Sequence, residues 1–204
     1  WNFLARLMAI DIFALFFVCL CFLFIINGSN LIDGFNGLLG IQAFIIFSVL
    51  FFINFNNGNN QFAYFLFCLC LIVLVFIKFN FPKAQMFLGD GGAYLVGTLI
   101  SISVIITNNI TSISSFFFCI LLFYLFFEVF FSFFRKIFVV GKNPLLPDGK
   151  HLHMLLYKFL LRKNKKKIIS NYKVSIYINL VYLLSITPGI IFMNNALFCK
   201  FYFF

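Results

Sequence analysis

The chain has 204 residues, 64% of them hydrophobic and only 10% charged, with a formal net charge of +10. Its mean hydropathy of +1.09 excludes a soluble globular domain and describes an integral membrane protein. The charge does not describe a nucleic-acid binder, because Lys and Arg are absent from 56–61 and 107–115 and crowd into 78–83 and 135–173.

In chain order, apolar runs approaching the thickness of a bilayer cover 5–26, 38–55, 62–77, 93–107, 116–134 and 174–193. The expected fold is all-α, a multi-pass transmembrane bundle of about six helices. It forms one membrane domain over 1–204 with a basic loop at 135–173. The runs 62–77 and 93–107 are short and call for flanking residues or a thinner bilayer to cross. The tail 195–204 is too short to span and reads as the start of another helix. The six cysteines lie in or beside apolar runs, lack zinc-site spacing, and are expected to be small buried hydrophobes. No signal peptide is visible, and a chain opening on Trp1 reads as the C-terminal part of a longer protein.

The basic segments assign a side to every linker. Positively charged linkers stay in the cytoplasm, so 135–173 is cytoplasmic, with the Lys163–Lys167 run a topology anchor near anionic headgroups. Counting crossings backwards puts 107–115 and 56–61 outside. Three polar segments then share the cytoplasmic face of the plasma (inner) membrane: 27–40, 87–92 and 147–153.

These segments hold most of the chemistry available. Asp33 and Asp90 are two of five acidic residues, and carboxylates beside glycines suit a hard cation such as Mg2+. Gly89, Gly91 and Gly92 let backbone N–H groups approach a phosphate at a helix start, whereas the plainer role for Asp90 is an N-cap. Asn27, Asn30, Asp33 and Asn36 recur every third residue, which on a helix gathers them on one side of a polar cavity. The plainer role for those amides is to bond helices together. His151 and His153, the only histidines, follow a Pro-Asp-Gly turn and fit phosphate-binding donors better than zinc ligands. Glu128 and Arg135, seven apart, are expected to pair structurally. Together these groups suit phosphoryl transfer, where positioning and charge neutralisation dominate.

Three ordered motifs carry a resemblance. They are Asn27-x-x-Asn30-Leu-Ile-Asp33-Gly34-x-x-Gly37, then Asn80-Phe-Pro82-x-Ala84-x-x-Phe87-Leu-Gly89-Asp90-Gly-Gly, then Arg135-Lys136 ahead of Pro144-x-x-Pro147-Asp148-x-x-His151-Leu-His153. Over about 15–156 the chain resembles the polyprenyl-phosphate N-acetylhexosamine-1-phosphate transferases, glycosyltransferase family 4. That family includes the phospho-N-acetylmuramoyl-pentapeptide transferase and the enzymes initiating O-antigen and teichoic acid assembly. The resemblance implies Mg2+-dependent transfer of a sugar 1-phosphate from a UDP-sugar to a membrane polyprenyl phosphate, releasing UMP.

By the same likeness Asp90 is the metal ligand and Asp33 belongs to the catalytic carboxylates. Asn27, Asn30 and Asn36, with Arg135, Lys136, His151 and His153, are the substrate-binding set. A homodimer is compatible with this reading. The chain departs from the pattern at Asn36, where the family has Asp, and at Met154, where it has a third His. It also lacks an Asp-Asp pair in 1–26, so these residues alone are expected to be inactive. The rival readings are a transporter with a polar substrate path and a degenerate, non-catalytic homologue.

Overall fold

The computed structural model describes residues 6–7, 9–141 and 149–204. Among these the fold is all-helical: α1 Asp11–Ile32, α2 Leu38–Asn56, α3 Asn60–Asn80, α4 Gly89–Ile110, α5 Ser115–Phe134, α6 Leu152–Asn164, α7 Lys167–Ile191 and α8 Ala196–Phe203. A π-helical turn, Arg135–Val140, continues α5 and ends at Gly141 in the left-handed region, φ +64°. Among the described residues six helices are long and apolar enough to cross a membrane, as expected, and the protein is a multi-pass membrane protein.

Helix ends differ from the apolar runs in an informative way. α3 and α4 have 21 and 22 residues, so neither needs a thinned bilayer. The difference lies in polar ends such as Asn60, Gln61, Lys78 and Asn80, which are helical without being apolar. For the same reason α1 runs on to Ile32 and takes Asn27 and Asn30 into its last turns. The expected basic loop is largely helical too. Leu152, Leu155, Leu156, Phe159 and Leu160 recur at helical spacing and build α6 inside it. The tail forms α8, eight residues capped by the Asn195 side chain, which accepts from the Phe198 N–H at 3.0 Å.

α2 packs on α3, α4 and α7, while α1 lies against α4 and α5. Leu38, Ile46, Leu50, Leu121, Leu125 and Tyr182 are fully buried in the common core. Two glycines set the α1 contacts. A Cβ on Gly28 would meet the Leu125 carbonyl oxygen at 2.5 Å, and one on Gly97 would meet the Ile26 backbone at 2.9 Å. Buried polar bonds tie the bundle elsewhere: Asn54 Nδ2 to Thr107 Oγ1 at 2.8 Å, and Tyr182 O–H to the Leu121 carbonyl at 2.7 Å.

The cysteines correct the expectation made for them. All six are free, but only Cys70 and Cys199 are buried, while Cys19, Cys68 and Cys119 are exposed. A small apolar thiol is at no disadvantage facing lipid, so burial does not follow from its hydrophobicity.

Candidate active site

The chain breaks helix after Ile32 and turns through Asp33–Gly37 before α2 begins. Gly37 needs its lack of a side chain, since its φ is +79° and a Cβ would meet the Phe81 ring at 2.7 Å. The turn is tied to the segment after α3. The Gly37 N–H donates to Asn80 Oδ1, and Asn80 Nδ2 donates to the Met86 carbonyl at 2.7 Å. Asn36 Nδ2 donates to the Pro82 carbonyl at 2.9 Å, and the Asn36 N–H donates to Asn171 Oδ1 on α7 at 2.8 Å.

These bonds bring the first two motifs together at one end of the bundle. Asp33, half-buried, lies near enough to Asp90 to feel its charge and is faced by the Gly89 backbone N–H. Loss of water pushes the Asp33 carboxyl up to about 6, repulsion from Asp90 adds to the rise, and Gly89 opposes it. Asp90 is exposed and is the second residue of α4. The N-cap is Leu88, with no side-chain bond, so the Asp90 carboxylate is not consumed in capping. Asn30 Nδ2 donates to the Tyr94 hydroxyl at 3.2 Å, across to the same helix.

The i+3 expectation for the asparagines holds only in part. Asn27 and Asn30 are helical, but Asp33 closes the helix and Asn36 lies in the turn beyond it. Asn27 is exposed and donates to the Leu23 carbonyl of its own helix at 2.7 Å. Asn36 spends its amide on Pro82, a bond that a carboxylate could not donate.

The third motif arrives from α6. His151 and His153 are buried, not solvated, and both Nδ1 atoms face Glu128 of α5, at 3.5 and 3.0 Å. The Phe35 ring meets His153 edge-on at 5.2 Å, joining this cluster to the Asp33–Gly37 turn. Arg135 lays its guanidinium over the Phe131 ring at 5.8 Å, and Lys136 is buried. The described partners of Glu128 are therefore Tyr124 and the histidines, not Arg135 as the spacing suggested. Pro144, Pro147 and Asp148 lie outside the described residues.

Two roles escaped sequence reasoning. Asn171 gave no signal beyond one amide in a basic stretch, whereas Glu128 did give one, as a carboxylate inside a membrane-grade apolar run. Among the described residues, no three His, Cys, Asp or Glu side chains gather around one point as a ready cation cage.

The family described as glycosyl transferase family 4 matches residues 2–109, more than half of the chain. The chain belongs to glycosyl transferase family 4. Its family match takes in Asp33 and Asp90, while both histidines lie beyond it. The undecaprenyl-phosphate alpha-N-acetylglucosaminyl 1-phosphate transferase of Thermotoga maritima is 32% identical over 139 residues, which are 67% of this chain and 41% of that protein. The phospho-N-acetylmuramoyl-pentapeptide-transferase of Geobacillus sp. (strain WCH70) is 35% identical over 82 residues, 40% of this chain and 25% of that protein. That of Clostridium perfringens (strain 13 / Type A) is 30% identical over 90 residues, 44% of this chain and 28% of that protein. This family 4 chain thus spans less than half the length of the curated relatives it matches. No solved structure matches it.

Proposed function

We propose that this family 4 chain supplies much of the site that transfers a sugar 1-phosphate from a UDP-sugar to a polyprenyl phosphate in the membrane, releasing UMP. The observation behind this reading is the meeting of Asp33 and Asp90 at one end of the bundle, with Asp33 pushed up to about 6 partly by its neighbour's charge. Two carboxylates that repel each other suit a divalent cation. Mg2+ commonly takes only one or two carboxylates and completes its shell with water and substrate phosphates, which accommodates the lack of a third protein ligand among the described residues. When bound, the cation supplies charge neutralisation at the diphosphate.

In the reaction, an oxygen of the lipid phosphate attacks the β-phosphorus of the UDP-sugar. The new bond is lipid phosphate oxygen to β-phosphorus, the broken one joins the β-phosphorus to the bridging oxygen, and UMP leaves with that oxygen. Asp33 and Asp90 would hold the cation. Gly89, with φ +66° and no atom within 4 Å of a Cβ position, leaves the start of α4 open to a phosphate. His151 and His153 donate to the diphosphate. Lys78, Lys83 and the Arg162–Lys167 stretch flank this end, and the positive-inside bias supports a cytoplasmic site.

The test uses Asp90→Asn in the full-length protein containing this chain. The expected outcome is loss of Mg2+-dependent UMP release by roughly a hundred-fold or more, the scale of a lost electrostatic catalyst. Retained release would overturn the cation assignment.

A further inference from the structure

Glu128 is a fully buried carboxylate within a membrane-crossing helix, in a chain with only five acidic residues. Its Oε1 accepts from the Tyr124 hydroxyl at 2.7 Å and meets His153 Nδ1 at 3.0 Å, while Oε2 lies 3.5 Å from His151 Nδ1. The two imidazoles lie nearly parallel, 5° between planes and 5.5 Å between centroids. One carboxylate therefore hydrogen-bonds His153 and lies directly beside the Nδ1 of His151.

Packing gives no reason for that choice. A carboxylate taken out of water costs several kcal/mol before pairing, and an apolar side chain of similar size fills the same space without that cost. Joining α5 to α6 does not need a charge either, because a neutral amide at position 128 offers the same acceptor oxygen. What the charge adds acts on the rings. A carboxylate accepts only, so a ring nitrogen that hydrogen-bonds to it carries the proton there. Each Nε2 is thereby directed away from Glu128. The Nε2 of His153 is buried and, among the described residues, has no hydrogen-bond partner. A ring nitrogen shut off from water with nothing to bond is suited to a ligand that brings its own polar atoms.

We propose that Glu128 is a positioning residue for the donor diphosphate: it fixes the orientation and proton arrangement of His151 and His153 so that their Nε2–H groups meet phosphate oxygens. This rests on the phosphoryl-transfer reading above. It differs from a helix-joining role in requiring the charge.

The chain's two histidines make the test direct. The full-length protein is labelled with 15N-histidine in detergent micelles at pH 7.5, with His151→Asn assigning the signals. In the parent both rings should carry Nδ1–H, and the Nε2 signals should move on adding UDP-N-acetylglucosamine. Glu128→Gln should keep the helical circular dichroism of the parent, lose the Nδ1–H signature, and raise the KM for UDP-N-acetylglucosamine by about ten-fold with a smaller fall in kcat, the expected loss of one charged hydrogen bond.

A parent spectrum of neutral Nε2–H rings overturns the proposal without any variant. So do imidazole signals that Glu128→Gln leaves unchanged, or parent Nε2 signals indifferent to UDP-N-acetylglucosamine. A parent whose rings respond to both the nucleotide sugar and Glu128→Gln, yet which releases no UMP, supports Glu128's role and refutes the transfer reading instead.

Discussion

Asp33 illustrates how a single residue can work against the fold it belongs to. Its carboxyl sits near 6 where the ordinary value is 3.8, because half-burial and Asp90 both disfavour the charge. The native state therefore binds a proton that the unfolded chain has already released, and stability falls as pH rises from about 4 through about 6. Asp33→Asn removes this burden. The variant should melt at a higher temperature than the parent at pH 7.5, with the gap shrinking through pH 6 and closing near pH 4. A parent that melts at or above the variant at pH 7.5 would contradict the assignment. Added Mg2+ should raise the parent's melting temperature and leave that of Asp33→Asn unmoved, a binding readout that needs no turnover. Sequence reasoning singled out Asp33 and Asp90 correctly as neighbours. It could not show that Asn36 is a clip onto Pro82, because an amide's bond to a carbonyl 46 residues away depends on where α1 stops.

At the scale of helices, the first polar motif divides into two jobs. Gly28 and Ser29 are buried packing residues of α1, whereas Gly34 stands exposed in the turn with nothing within 4 Å of a Cβ position. Gly28→Ala would press a methyl against the Leu125 backbone, which cannot rotate away as a side chain could. We expect it to cost about 1–3 kcal/mol, the usual penalty for overpacking, and Gly34→Ala to stay within about 0.5 kcal/mol of the parent. Equal thermal shifts for the two variants in detergent would refute this division. Hydropathy marked every crossing helix because hydrocarbon demands apolar length. It missed helix ends and α6, since water-facing turns carry no such demand and α6 alternates apolar residues with Lys158, Arg162 and Lys163.

The molecule as a whole is a bundle whose polar bonds between distant segments concentrate at one end, around residues 33–37, 80–90 and 151–157. That end was legible in the sequence because basic residues and motifs agreed on it independently. The histidines' attachment to Glu128 was not, since it joins α5 to α6 across 25 residues, part of which lies outside the described chain. Orientation is directly measurable. In intact cells a membrane-impermeant maleimide should label Asn57→Cys, between α2 and α3, and should label Lys166→Cys only after permeabilisation. The reverse pattern would turn the proposed site outward. Asn80 has a consequence beyond holding a turn in place. Its oxygen grips the start of α2 and its nitrogen grips the approach to α4, so one short amide acts as a ruler between the stretches that bear Asp33 and Asp90. Under the proposed cation site, the spacing of its two carboxylates would be gauged by an uncharged side chain that carries no charge to the ion itself.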